Sequence, residues 1–392
     1  MKKGWEYKTL GEIATFSRGL TYKKGDEVSM SKNVVLRSNN IDLMSGQLDL
    51  SELKYLNEDF NIPKDKKVIK DSLLICMSNG SKNHLGKVAL IDVDYGYAFG
   101  GFMGLIVPVQ CIKGKYLHIV MSSPKYKEYI KTLSAGANIN NLKFADLSKF
   151  VIPVPPLSEQ EEIVSRLDKA FEQIETMRRN AEQSLTTAQQ LFQSTLSHLL
   201  TPQPYWERKK LGDIGMIVGG STPKTNDPSN WNGNNLWVTP AELDGSMYFG
   251  ETERHISDKA ASKLQLMPKG TVLLSSRAPI GKVAITTKPM YCNQGFKNIV
   301  CSKSINNIFT YWYILYSVPQ LQALGIGATF KEISKTKVEA FPIIVPPLPE
   351  QTAIVAKLDS LSAKVKQLKD NYTRTVALCD EMKQALLKEV FE

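Results

Sequence analysis

Cysteine is scarce: Cys76, Cys111, Cys292, Cys301 and Cys379 are the only five in 392 residues. Their number is odd and none forms a C-x-x-C pair, which excludes a disulfide-stapled scaffold and fits free, mostly buried thiols in a reducing compartment. Four scattered histidines, His84, His118, His198 and His255, have no metal-ligand spacing. No apolar run approaches the ~20 residues of a membrane span. The opening MKKGWEYKTLGE has no apolar stretch behind its lysines, so no signal peptide is expected. A phosphate-cradling Walker loop is missing, because the Gly-Lys pairs continue into Val88, Tyr116 and Val283 rather than Ser or Thr. The Asn/Asp-Pro-Pro-aromatic loop of a DNA adenine methyltransferase is missing too. Each Pro-Pro here runs into Leu157 or Leu348, with no Asn or Asp before it. No nucleophile elbow or zinc-deaminase pattern appears. The expectation is a soluble, cytoplasmic, metal-free chain with no catalytic residues of its own.

What is present is a foldable composition, 42% apolar and 22% charged. The formal net charge of +10 favours a polyanionic partner, nucleic acid being the usual one, although many basic proteins merely have basic surfaces.

The chain is also written twice. Phe150–Asp168 contains IPVPPLSEQEEIVSRLD, and 191 positions later Phe341–Asp359 contains VPPLPEQTAIVAKLD. The match extends outward more weakly. WEYKTLGEIATFSRGLTYK from Trp5 parallels WERKKLGDIGMIVGGSTPK from Trp206. LGKVALI parallels IGKVAIT, and YAFGGFMGLIV parallels YCNQGFKNIV. Such an internal repeat is one supersecondary plan used twice. Each half reads as a strand-rich globular region, roughly 1–155 and 204–346, followed by a helix in 156–203 and 347–392. Short apolar, β-branched runs such as DSLLICMS, KVALIDV, GTVLLSS and KVAIT are bounded by turn residues. IKGKYLHIVMSS and NIFTYWYILYS read as short buried helices. The fold class is α+β, with helices covering the sheets.

Pro-Pro forces an extended entry to each helix. Ser158 is placed to cap the first, and Glu159 and Glu350 lie where the helix dipole favours a negative charge. An apolar spacing of four and three follows. In the second helix it runs Ile354, Leu358, Leu361, Val365, Leu368 and on to Tyr372, Thr375, Cys379, Met382 and Leu386. In the first it runs Ile163, Leu167, Ala170, Ile174, Met177 and on to Ala181, Ser184, Ala188 and Leu191. Two seams of equal length in one chain suit an antiparallel coiled coil, pseudo-two-fold symmetric. Each helix packing on its own globular region is the alternative.

These residues carry a specific resemblance. A duplicated half ending in PPL-x-EQ-x-x-I-V-x-x-L-D, preceded by GATFKEISK, with SSRAPIGKVAI and NQGFK upstream, resembles the specificity subunit of Type I restriction–modification systems over essentially the whole chain. The resemblance implies two homologous α/β target-recognition domains, each reading one half of an asymmetric bipartite site on double-stranded DNA. It implies an antiparallel coiled coil that sets the spacer and docks two methyltransferase (modification) subunits, with two restriction/translocase subunits completing the nuclease. S-adenosylmethionine, Mg²⁺ and ATP would then belong to those partners. The first half departs from the motif: ATFKEIS becomes ANINNLK, and SSRAPIGK becomes MSNGSKNHLGK.

Phosphate contacts need cations and hydroxyls, and base contacts need fixed donor–acceptor geometry. In the second half Arg277 sits at a strand–loop junction suited to guanine, with Ser275 and Ser276 beside it; an acidic partner inside the domain is the alternative for Arg277. Thr329, Lys331 and Lys335 suit phosphates, while Phe330 reads as core or groove wedge. Asn293, Gln294 and Lys297 suit adenine or phosphate, or else cap a turn. In the first half the candidates are Ser78, Asn79, Lys82, Asn83 and His84, then Asn138, Asn140, Asn141 and Lys143, and Arg37 with Asn39 and Asn40. Asn-rich stretches also serve turns. The loops GLTYKK and GSTPKT offer Lys23, Lys24, Ser221, Thr222 and Lys224 to phosphates. Rival readings are a stand-alone DNA-binding regulator, a protein-binding scaffold with duplicated domains, and a methylating enzyme with divergent motifs.

Overall fold

Both globular regions open by pairing their first strand with their last. Glu6–Thr9 runs antiparallel to Val151–Val154, and Glu207–Lys210 runs antiparallel to Pro342–Val345. The computed structural model describes residues 4–42, 46–134, 141–277, 279–326 and 331–391, and of residue 82 the backbone alone. The chain forms two units, Met1–Ala181 with Thr373–Glu392, and Glu182–Tyr372. The division falls within the two long helices, Leu157–Leu199 and Leu348–Phe391. Each unit therefore holds one globular region together with a segment of both helices.

In the first unit, Met103–Pro108 lies between Ala14–Arg18 and Leu73–Cys76, with Val88–Leu90 at the edge, all antiparallel. A smaller sheet orders Glu27–Val28, Lys54–Leu56, Asn33–Leu36 and Ala98–Phe99, the last pair parallel. The second unit repeats this with Lys297–Cys301 between Gly215–Gly219 and Val272–Leu274. Val283–Thr286 follows, and a short strand Tyr248–Phe249 adds a fifth member. Its smaller sheet again holds a parallel pair, Trp231–Val238 with Tyr291–Cys292. The helices Gly114–Val120 and Asn307–Tyr316, apolar in sequence, are buried against the larger sheets.

The repeated text turns out to be a set of latches. Trp5 Nε1 donates to Glu159 at 2.8 Å, and Trp206 Nε1 donates to Glu350 at 2.7 Å. Gln160, fully buried, accepts from Lys113 N at 2.9 Å and donates to the carbonyls of Cys111 and Pro155. Gln351 accepts from Asn306 N and donates to Pro346 O, both at 2.8 Å. The PPL-x-EQ start thus ties each helix to its own domain by satisfying backbone groups that would otherwise be buried without partners. The Gly-Lys-Val text is a second latch. Gly86 and Gly281 adopt φ of 71° and 100°, a region side chains avoid. A Cβ there would approach Ile130 to 2.7 Å or Val318 to 2.5 Å. The following lysines turn inward: Lys87 Nζ donates to Ile41 O at 2.7 Å, and Lys282 Nζ donates to Leu243 O at 2.8 Å. Burial holds Lys87 below its ordinary pKa.

The helices begin at Leu157 and Leu348, so Ser158 lies inside the first turn and is not its cap. In the first unit the two helical segments run antiparallel. Ile163 and Leu167 share a core with Leu387, Val390 and Phe391, while Cys379 Sγ donates to Ile174 O at 3.7 Å. Arg178 pairs with Asp380 and Lys383 with Glu175. In the second unit Leu196 and Leu200 share a core with Ile354, Val355 and Leu358. Leu361, Val365 and Leu368 are half-buried. The seam departs from the expected spacing after Ile174. Met177 is 49% exposed and Leu191 58% exposed, whereas Arg178, Leu185 and Phe192 turn inward. Met382 is exposed as well, and Lys383 and Leu387 take its place. Among the described residues no helix is long and apolar enough to cross a membrane. No group of three or more His, Cys, Asp or Glu among them is placed to hold a metal ion.

Candidate nucleic-acid interface

The same backbone bonds build the rim of each globular region, and they set the two rims in register. In the first, Met77 N donates to Phe102 O at 2.9 Å, and Leu142 N donates to Met77 O at 2.7 Å. In the second, Ser276 N donates to Gly295 O at 2.8 Å, and Ile333 N donates to Ser276 O at 3.0 Å. Ser78 bridges Asn141 where Arg277 bridges Glu332. Ser78 is therefore the counterpart of Arg277, Asn141 of Glu332, and Phe102 of Gly295. The Gly-Phe shared by GGFMG and QGFKN is one residue out of step in space: Met103, not Phe102, stands where Phe296 stands, and both are buried.

In the second rim Thr222 Oγ1 hydrogen-bonds Gln294 Oε1, joining the loop before Lys224 to the loop before Gly295. Asn293 Oδ1 accepts from Gly295 N at 2.8 Å, the turn role weighed above. Arg277 is half-buried and has no acidic partner among the described residues; Glu332, opposite it in the strand bridge, pairs instead with Lys297 at 3.4 Å. An unpaired guanidinium at a rim can grip guanine O6 and N7 with two bonds. Ser221, Gln294, Lys224 and Lys331 are exposed nearby. Lys335 is exposed but paired with Glu339 at 3.6 Å along its helix.

Three candidates in this half lie inside the domain. Ser275 is fully buried; its hydroxyl donates to Pro279 O at 2.7 Å and accepts from Lys282 N at 2.8 Å. Ser276 is fully buried and accepts from Lys297 Nζ at 3.2 Å. The side chain of Lys297, 13% exposed, is spent on Ser276, Gln294 O and Glu332. None of the three is free to touch DNA in this arrangement. Thr329 and Phe330 lie outside the described residues.

In the first rim Lys23 and Lys24 are exposed on a turn closed by Lys23 N donating to Asp26 at 2.7 Å. A Cβ on Gly101 would lie 3.5 Å from Thr21 Oγ1, so this loop adjoins the turn at Phe102. Asn79 Nδ2 donates to Ser38 Oγ at 3.0 Å, and its Oδ1 accepts from Ser81 N at 2.9 Å, so Asn79 is engaged within the domain. Asn40 is buried and holds Arg37 N, Asp49 O and Glu52 O. It is an interior brace; at the equivalent place in the second domain the half-buried Glu242 accepts from Thr239 N at 2.6 Å. Arg37 is half-buried, 3.8 Å from Glu52, and its Nε is buried without a hydrogen-bond partner. Asn39, Asn83, Asn141 and Lys143 are exposed, and Ser78 and His84 half-buried. Asn138, Asn140 and the side chain of Lys82 lie outside the described residues.

Two groups escaped the reading of the sequence. Arg254 lays its guanidinium 3.8 Å from the centre of the Trp231 ring, with Trp237 at 5.2 Å. Trp231 Nε1 in turn donates to Lys224 O at 3.2 Å, which carries the rim on to Arg254. Two tryptophans on one strand were the available signal. The other group is Phe102, 72% exposed.

A family model described as Type I restriction modification DNA specificity domain matches residues 2–186 and again 205–373. The chain is 24% identical over 421 residues to the Type I restriction enzyme StySPI specificity subunit of Salmonella potsdam, spanning 100% of this chain and 89% of that one. It is 32% identical over 186 residues to the EcoKI specificity subunit of Escherichia coli K12, spanning 47% of this chain and 39% of that one. Among solved structures it is similar to a chain from work on complex assembly and conformational transition of the type I R-M system, with a TM-score of 0.82 at 22% identity, covering 100% of this chain and 98% of the other. It is also similar to the HsdS subunit of Thermoanaerobacter tengcongensis, with a TM-score of 0.64 at 22% identity, covering 100% and 97%. At that identity these two likenesses speak for the α+β, two-domain fold. With both globular regions matched in turn, the chain belongs to the Type I restriction modification DNA specificity domain family and carries two copies of its domain.

Proposed function

We propose that this specificity subunit reads one half of an asymmetric, bipartite site on double-stranded DNA with each of its two domains. Residues 1–155 and 204–346 are the recognition domains in this reading, and the helical regions 156–203 and 347–392 set the unread spacer. The observation that carries it is the duplicated rim: one backbone frame, built by the same hydrogen bonds, presents different exposed side chains in each copy. A reader of two different words needs that combination. The chain supplies no catalysis. Methylation of adenine and ATP-dependent cleavage fall to partners, two modification subunits docked on the helical regions and two restriction subunits, which would bring S-adenosylmethionine, Mg²⁺ and ATP. The site of action is the cytoplasm of a bacterium or archaeon.

In the proposed contact set Arg277 reads a base, with Gln294, Ser78, Asn39 and Asn141 as further base readers. Lys23, Lys24, Ser221, Thr222, Lys224, Lys331 and Lys143 hold phosphates. The test is to co-express the chain with its modification subunit and map methylated adenines, then repeat with residues 204–342 exchanged for those of a relative. One half-site should change while the other half and the gap stay the same. A site that changes in both halves, or a gap that shifts, would contradict the assignment.

A further inference from the structure

Resting on the reading of both domains as DNA recognisers, we propose that Phe102 is a specificity-determining residue of the first domain, its ring packing against a thymine 5-methyl group in the major groove. The two rims differ in one exchange of bulk. In the second domain Gly295 leaves room for Arg277: a Cβ on Gly295 would lie 3.4 Å from Arg277 Nε and 3.0 Å from both Asn293 Oδ1 and Pro240 Cγ. In the first domain the counterpart of Arg277 is Ser78, which is small, and the counterpart of Gly295 is Phe102. One large side chain thus stands at this place in each domain, but it grows from opposite strands and has opposite chemistry.

Phe102 is fixed as well as exposed. Its carbonyl accepts from Met77 N at 2.9 Å and Ser78 N at 3.1 Å, and Met103 N donates to Gly100 O at 2.8 Å, so the turn that carries it is held at both ends. Leaving a phenyl ring 72% exposed keeps apolar surface in water that a covering partner would bury. DNA is the partner the position favours. The turn that carries the ring adjoins Thr21, in the loop that continues to Lys23 and Lys24, and Ser78, which is bridged to Asn141; these are cations and polar groups suited to a duplex. Among base edges in the major groove, the thymine methyl is the apolar one.

The experiment uses the chain assembled with its modification subunit and a duplex bearing the mapped site. Each thymine of the half-site assigned to the first domain is replaced in turn by deoxyuridine, which lacks only the methyl group. The expected result is one position where the replacement weakens binding about three- to fivefold, the worth of one buried methyl. Phe102→Ala should show a comparable loss on the thymine duplex and no further loss on the uracil duplex, and Phe102→Leu should restore part of the discrimination. Four results would overturn the proposal: a half-site without thymine; undiminished thymine preference in Phe102→Ala; failure of that variant to assemble with the modification subunit, which would make the ring a protein contact; or a Phe102-dependent rise in 2-aminopurine fluorescence, which would make it a wedge between bases. If the parental complex binds no specific duplex, the DNA-reading function falls and this inference with it.

Discussion

The two globular regions share what is buried and differ in what is shown. Trp5 and Trp206, Gln160 and Gln351, Gly86 and Gly281, Lys87 and Lys282 make the same contacts in their own domains. At the rim Ser78 faces Arg277 in the alignment of the two frames, Phe102 faces Gly295, and Asn141 faces Glu332. The lesson is a division of labour within one fold. Residues that satisfy buried backbone groups cannot drift without leaving an orphaned donor or acceptor. Rim side chains that brace no buried backbone group escape that constraint, so a duplicated domain can change its reading while its frame stays fixed.

The largest expected effect tests the shared part. Gln160→Ala and Gln351→Ala each leave a buried N–H and at least one buried carbonyl unpaired, a cost on the order of 3 kcal/mol. Thermal unfolding followed in each unit separately, by hydrogen exchange, should show each variant loosening its own unit by a similar amount. If one is severe and its counterpart silent, the latches are not equivalent and the comparison breaks.

Next in size is the part that differs. Arg277→Ala should weaken binding by about 1–3 kcal/mol and relax the preference at one base pair of one half-site. A competition assay with all four bases at each position would sharpen the contrast with Ser78, whose replacement by Ala should affect only the other half. Equal loss at both halves would sink the assignment.

Much of this architecture was legible in the sequence, for identifiable reasons. The duplication, the helix starts after Pro-Pro and the short strands are local or repeated signals. Tertiary partners are not. Ser275, Ser276 and Lys297 look like surface residues by type. Their burial is fixed by their partners: Ser275 holds Pro279 O and Lys282 N, and Ser276 meets Lys297 from a segment about twenty residues on. The helix seam misled by hydrophobicity: Met177 is the apolar choice, yet Arg178 points inward because Asp380 meets its charge. Phe102 was hidden by a match of letters, since Gly-Phe occurs in both halves, but backbone register sets Phe102 opposite Gly295.

A smaller contrast concerns pH. His118 is half-buried in the first unit, and desolvation holds its imidazole below its ordinary pKa while its Nε2 lies 3.0 Å from Gly46 O. In the unfolded chain the same imidazole takes up a proton near pH 6.5. The first unit should therefore lose stability as pH falls through that value, and the loss should level off once the folded-state pKa is passed. In the second unit His198 is exposed and His255 half-buried. Exchange measured at pH 7.5 and pH 5.5 should show the difference, and His118→Gln should remove the part due to this group. An unchanged difference in that variant would assign it elsewhere.

The smallest effect lies with the phosphate-facing lysines, and here the two domains should agree again. Lys23 and Lys224 stand at equivalent places in their loops and both are exposed. If each neutralises one phosphate, either substitution by Ala should reduce the slope of log K against log salt by about one and weaken binding to all sequences alike. At physiological salt that amounts to less than about 1 kcal/mol, since an exposed cation is well screened. Because no base is read, the mapped target should not change. A shift in target by either variant would move that lysine from the shared frame to the reading rim, and the boundary drawn between the two would have to be redrawn around it.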